Sequence, residues 1–291
     1  MSSQPVPHHV LAVDVGNSRF KFGLFDASRW LRGERVLPEP LETLAVPLSQ
    51  PVPWSTLERW TRSHAVVSTV AGANPAGVER LLAEWPSTLQ PQPCVLRDVA
   101  RFPIRVDVDQ PRRVGVDRVL NAVAVNELRA PDQPAVVVDS GTATTVDYVR
   151  ADGAFAGGAI LPGLRLAARS LHDYTALLPL VELDELRHGP VPVVGRNTTA
   201  AIRSGLYWGQ LGAVKELVDR MRRLAEAEGQ RPPLVVLTGG GSAVLHRELP
   251  QTRLELSLSL QGLVLVVLRT QSGQPDDGPD SGAVGAADGK P

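Results

Sequence analysis

Apolar residues recur along this chain in two rhythms, short runs with a period of two and longer stretches with a helical period. Residues 11–15 and 20–25 read as two short strands around a Gly-Asn-Ser turn, hence a hairpin. A helix is expected over 54–62, a strand over 65–70, and a helix over 75–84 with Asn74 as N-cap and Pro75 at its first position. A strand over 94–99 and a helix over 116–128 follow. Then the pattern restarts. Residues 135–139 form an apolar run, 144–149 alternate, and a glycine-rich stretch leads to a helix near 164–177. Residues 197–228 predict a long helix or a helix pair, broken around 205–212, then a strand over 234–238 and a final helix over 260–268.

The restart is the more informative feature. Leu11–Ser18 reads L-A-V-D-V-G-N-S and Val136–Ala143 reads V-V-V-D-S-G-T-A, about 125 residues apart. Each is an apolar strand ending in Asp-x-Gly, followed by small polar residues and a second strand. One copy is ordinary turn chemistry. Two copies, each opening a half of similar element order, predict a duplicated α/β domain with two like loops facing each other. The expected division is 9–130 and 131–270, with 271–291 a Gly/Asp/Ala/Pro tail that cannot bury enough apolar surface to fold.

The loops carry the candidate chemistry. Gly16-Asn17-Ser18 and Gly141-Thr142-Ala143-Thr144-Thr145 offer converging backbone N–H groups and hydroxyls to phosphate. Gly239-Gly240-Gly241-Ser242, between a strand and a helix start, offers a third such loop. Asp14 and Asp139 end the buried strands with carboxylates suited to hard cations such as Mg²⁺. Neither G-x-x-x-x-G-K-[ST] nor G-x-G-x-x-G is present, so a nucleotide would bind in a cleft between like domains. Gly115-Val116-Asp117-Arg118 opens the helix between the halves. Its aspartate reads either as charge complementation at a helix start or as a base beside an anion-gripping arginine.

Composition narrows the partners. The 291 residues are 43% hydrophobic with 30 basic and 31 acidic side chains, so no global field favours nucleic acid or an anionic membrane. No leader or bilayer-spanning run is evident, and a cytoplasmic protein is expected. The single cysteine, Cys94, excludes a disulfide framework and is expected in the core. The histidines at 8, 9, 64, 172, 188 and 246 lack metal-ligand spacing and are expected at the surface.

Together, Asp14-Val15-Gly16-Asn17-Ser18, Gly115-x-Asp117-Arg118 and Asp139-x-Gly141-Thr142-Ala143-Thr144-Thr145 resemble the three signature motifs of type III pantothenate kinases. Gly157-Gly158-Ala159-Ile160-Leu161-Pro162-Gly163, Leu177-Leu178-Pro179 and Gly195-Arg196-Asn197-Thr198 extend the resemblance in the same order. It implies an RNase H-like, actin-like ATPase fold with the ATP cleft between its domains, and ATP-dependent phosphorylation of pantothenate. Asp117 would be the general base. Asp14, Val15, Gly16, Asn17, Ser18, Arg19, Phe20 and Lys21 would form the first phosphate loop, with Thr142 also on ATP. Asp139 would hold a monovalent cation, K⁺ or NH₄⁺, and Asp14 would face Mg-ATP. Gly115, Val116, Asp117, Arg118 and Thr198 would contact pantothenate, Arg118 through its carboxylate. The resemblance further implies a homodimer with pantothenate near the subunit interface, served by the segment around Tyr207 and Trp208 or leaving that segment to the core. Two departures stand out: Val108 replaces a customary tyrosine, although Pro111 is present, and Lys21 differs from the usual residue. Lys21 is either a solvent-facing strand position between Phe20 and Phe22 or a phosphate contact. A non-catalytic nucleotide-binding regulator and a sugar or acetate kinase are the competing readings.

Overall fold

A computed structural model describes residues 8–182 and 190–272 of the chain. The first half runs β1 (His9–Val15), β2 (Arg19–Asp26), α1 (Ser28–Leu31), β3 (Glu39–Pro47), α2 (Trp54–Thr61), β4 (Val66–Gly72), α3 (Pro75–Ala83), β5 (Cys94–Val95) and α4 (Val116–Leu128). The second runs β6 (Ala135–Ser140), β7 (Ala143–Val149), β8 (Phe155–Pro162), α5 (Leu164–Asp173), α6 (Thr198–Ala227), β9 (Leu234–Thr238), α7 (Ser242–His246), β10 (Arg253–Leu254) and α8 (Leu258–Ser272).

The two five-stranded sheets have the same plan. Their orders are β3-β2-β1-β4-β5 and β10-β9-β6-β7-β8. In each, the central strand pairs antiparallel with the strand after it and parallel with a later one. The expected duplication is therefore present strand for strand. The duplicated α/β architecture follows.

Burial explains the layering. Val10 and Ala12 of β1 face a cluster that includes α4, α8 and, from the other sheet, Ala135, Val137 and Val236. The alternate residues Leu11, Val13 and Val15 pack with Leu57 of α2 and with Val78 and Leu81 of α3. Likewise Val136 and Val138 of β6 pack with Leu206, Leu211 and Val214 of α6. Helices α4 and α8 thus form a middle layer between two sheets, each covered outside by further helices. A helix so enclosed must be apolar all round. Residues 119–125 of α4 are all buried, and so are Leu258 to Leu268 of α8, including Gly262, which fits tightly. Each large aliphatic side chain buried this way stabilises the fold by about 1.5–3 kcal/mol before entropy is counted.

The structure corrects several local expectations. Residues 198–227 form one unbroken helix, because Gly205, Gly209 and Gly212 lie on its exposed face and interrupt no packing. Strand 94–99 shrinks to two residues at a sheet edge, and Cys94 is exposed rather than in the core. Strands β3 and β8 were not expected; both are edges of their sheets, where proline and glycine are tolerated. Of the described histidines, His8 and His172 are exposed, while His9, His64 and His246 are half-buried; His188 and the predicted tail beyond 272 lie outside the described residues.

The middle layer depends on one close crossing. A Cβ on Gly262 of α8 would collide with the carbonyl oxygen of Leu120 in α4. Gly262→Ala should therefore cost on the order of 2 kcal/mol by forcing the helices apart. Thermal melting should show a Tm lower by roughly 5 °C; an unchanged Tm would mean that the crossing is compliant.

Candidate active site

The hairpin register puts Lys21 directly across from Asp14, and the Lys21 Nζ donates to Asp14 Oδ2 at 3.1 Å. Ser259 of α8 donates to the same oxygen at 2.9 Å, while the buried Oδ1 has no hydrogen-bond partner. In the second repeat, Asp139 stands across from Thr145. Its Oδ2 accepts from Asn121 Nδ2 of α4 at 3.1 Å. Gly239, at φ +85°, makes room for its other oxygen, since a Cβ there would strike Asp139 Oδ1.

Asp117 completes the group from the first turn of α4. Gly115 caps that helix, and a Cβ at 115 would lie 2.7 Å from Asp117 Oδ1. The Arg118 N–H donates to this oxygen at 2.9 Å. Burial, then the charges of Asp14 and Asp139, push the Asp117 carboxyl up to about 6, against the pull of the Arg118 N–H and Lys21. Lys21 moves the other way. Asp14 first, with Asp139 and Asp117 behind it, holds its ammonium well above the ordinary lysine range despite burial. Three carboxylates from three elements therefore share one ammonium. A base that titrates near 6 is mostly ionised at neutral pH and still basic enough to take a proton.

The two hairpin loops meet across the two halves. Ser18 Oγ and Thr142 Oγ1, both exposed, are 2.8 Å apart. Gly16 is partly exposed, and Asn17 and Arg19 are exposed beside them. Val15 and Phe20 are fully buried in the outer core, so only their backbone faces the loop. Lys21 is half-buried rather than solvent-facing.

The pantothenate contacts implied by resemblance scatter more. Val116 is partly buried against the middle layer. Val108 packs on β8, its Cγ1 3.5 Å from where a Gly157 Cβ would stand. Arg118 is already engaged with Asp147, through its Nε at 2.9 and 3.2 Å and through Nη2. Thr198 is exposed at the start of α6, with no hydrogen bond to the aspartate group among the described residues. Tyr207 and Trp208 serve their own chain, bonding Glu248 at 3.1 Å and the Val191 carbonyl at 3.2 Å.

Sequence reading missed Asn121, Asp147 and Ser259. Asn121 carried a signal, being a polar residue one helical turn after Asp117 inside an apolar run. Ser259 carried none. Among the described residues, no three His, Cys, Asp or Glu side chains form a metal cage of their own. The unpartnered Asp14 Oδ1 nevertheless suits a Mg²⁺ that takes most of its ligands from phosphate and water. Asp139 offers one oxygen not bound to Asn121.

Duplicated α/β lobes that face each other through hairpin loops, each with an aspartate near the end of its central strand, define an actin-like fold. A family model described as type III pantothenate kinase matches residues 10–220. Relatives named type III pantothenate kinase include those of Phenylobacterium zucineum, 31% identical over 90% of this chain and 99% of the relative, and Paramagnetospirillum magneticum, 34% identical over 90% and 98%. A Baf family structure from Campylobacter jejuni superposes with TM-score 0.56 at 16% identity, covering 90% of this chain and 99% of its own, a likeness of fold. The chain belongs to the type III pantothenate kinase family.

The raised Asp117 has a stability consequence. Its native carboxyl holds a proton more tightly than in the unfolded chain, so stability falls as pH rises from about 4 to about 6 and stays lower above that. Asp117→Asn removes this burden. It should stabilise the protein at pH 8 by on the order of 1–3 kcal/mol and by almost nothing at pH 4. Denaturant melts at the two pH values check this, and equal shifts at both would refute it.

Proposed function

We propose that this protein transfers the γ-phosphoryl group of ATP to the primary hydroxyl of pantothenate, giving 4'-phosphopantothenate, the first step of coenzyme A biosynthesis. Family membership supports the substrates. The observation that carries the chemistry is Asp117, a base raised to about 6 at the seam where both strand-end aspartates converge.

In this reading the lobes of residues 9–130 and 131–270 hold ATP between them, with α8 reaching back onto the first. The phosphates lie on the loop from Asp14 to Lys21, through the backbone at Val15, Gly16 and Phe20 and the side chains of Asn17, Ser18 and Arg19, with Thr142 opposite. Asp117 accepts the hydroxyl proton, and the oxygen attacks the γ-phosphorus. The bond from that phosphorus to the β–γ bridging oxygen breaks, and ADP leaves. Transfer of this kind asks for alignment and for positive charge around the migrating group. Lys21 and the loop N–H groups supply part of it. Mg²⁺, when bound beside Asp14, neutralises charge on the ATP phosphates; Asp139 would hold K⁺ or NH₄⁺. Gly115, Val116, Arg118 and Thr198 form the acceptor pocket, with Val108 filling the place of the usual tyrosine.

The protein is cytoplasmic and homodimeric in this proposal, without nucleic-acid or membrane partners. Among the described residues no helix is long and apolar enough to cross a membrane. An exposed stripe of Ala201, Gly205, Gly209 and Gly212 on α6, with open space beyond all three glycines, supports close approach of a second copy.

Coupled ADP release with MgATP and pantothenate, with and without K⁺, tests the assignment. Wild type should turn over, K⁺ should raise the rate, and Asp117→Asn should lose about 10²–10⁴-fold in kcat. Nucleotide binding without pantothenate-dependent turnover would overturn the kinase reading. The pH profile gives a further expectation. The base works ionised, so kcat/KM should rise with pH and level off above about 6. Lys21→Met deletes the cation that favours ionisation, so its acid limb should move to higher pH. A limb that moves to lower pH would contradict the electrostatic account.

A further inference from the structure

Asp147 is a buried charge for which the proposed chemistry has no use. It stands on β7 with 1% of its surface exposed, across from Gly158 of β8. Besides the two Arg118 nitrogens, it accepts from Thr145 Oγ1 at 3.0 Å. The neighbourhood is shaped to seat it. A Cβ on Gly158 would lie 2.6 Å from Asp147 Oδ1, so only glycine leaves the carboxylate its place. The ring of Phe155 lies under the Arg118 guanidinium, 5.4 Å from its carbon to the ring centroid.

The duplication shows that the fold itself does not ask for this charge. Asp14 pairs across its hairpin with Lys21, and Asp139 pairs across its own with Thr145. Two residues further along, Asp147 of the second repeat therefore corresponds to Gly23 of the first. Gly23 faces apolar atoms of Phe25 and Leu260. The same strand position is thus filled without a carboxylate in one lobe and with a buried one in the other, on the lobe face turned to Arg118.

A free arginine side chain loses rotamer freedom whenever it binds an anion. Here one edge of the fork is bound by Asp147 and its face rests on Phe155. Nη1 has no hydrogen-bond partner among the described residues, and it belongs to the residue next to the base. We propose that Asp147 is a positioning residue for the acceptor substrate: it fixes the Arg118 guanidinium so that its unheld nitrogen is presented to the substrate carboxylate beside Asp117. The inference rests on the reading of Arg118 as the contact to that carboxylate. It makes recognition a matter of directed hydrogen bonds, because Asp147 has already offset the arginine's charge.

Steady-state kinetics of wild type, Asp147→Asn, Arg118→Ala and the double variant test it. Asp147→Asn should raise the pantothenate KM at least tenfold while the ATP KM stays within about twofold. The double variant should be no worse than Arg118→Ala alone, since both act through one guanidinium. Added guanidinium ion should restore pantothenate affinity to Arg118→Ala but not to the double variant. A wild-type pantothenate KM in Asp147→Asn, or parallel rises in both KM values, overturns the inference while leaving the kinase reading intact. Absence of pantothenate turnover in wild type overturns that reading, and the inference with it. Should Asp147→Asn fail to fold, rescue of Arg118→Ala decides: guanidinium must rescue and ammonium at the same concentration must not, and equal rescue or none overturns the proposal.

Discussion

The whole arrangement depends on three carboxylates held close together in a partly buried place. Asp14, Asp117 and Asp139 come from three different elements; burial first, and then the charges of Asp14 and Asp139, raise the proton affinity of Asp117, with Lys21 as the ammonium among them. Like charges stay together in a partly buried place only if the scaffold holds them there. The middle layer of α4 and α8 does so. Helix α4 carries Asp117 and Asn121 one turn apart, and α8 brings Ser259 to Asp14. Their near-total burial fixes both helices against both sheets at once. The apolar core is in this sense what raises the Asp117 carboxyl.

The duplication is faithful in topology and unfaithful in chemistry. Both repeats keep the central strand, the hairpin and the terminal aspartate. Across the hairpin from that aspartate, one repeat places Lys21 and the other Thr145. A cation opposite Asp14 and a neutral hydroxyl opposite Asp139 give the mouth an electrostatic polarity that symmetric halves would lack.

Much of this was legible in the residues, for identifiable reasons. β1, β6 and β9 are interior strands and α4 is enclosed, so their apolar runs are long and their ends are sharp. Asn74 capped its helix as read, accepting from the Gly77 N–H at 2.9 Å. The edge strands β3 and β8 were not legible, because one-sided exposure, proline and glycine erase the alternation that marks a strand. The glycines of α6 misled in the opposite direction: glycine weakens a helix but does not break one that is held along its other side. At the site, the aspartates and loops could be read from spacing. Asn121, Asp147 and Ser259 act on them across as many as 245 residues of sequence separation, a relation that only the folded chain creates.

One contact joins the two lobes at their loops. Ser18 and Thr142 touch through their hydroxyls at 2.8 Å, one from each lobe. Both side chains are exposed, so water competes for the bond and it holds the lobes together only weakly. The lasting link between the halves is the dry middle layer of α4 and α8, and the hydroxyl pair is a latch that any better hydrogen-bond partner can replace.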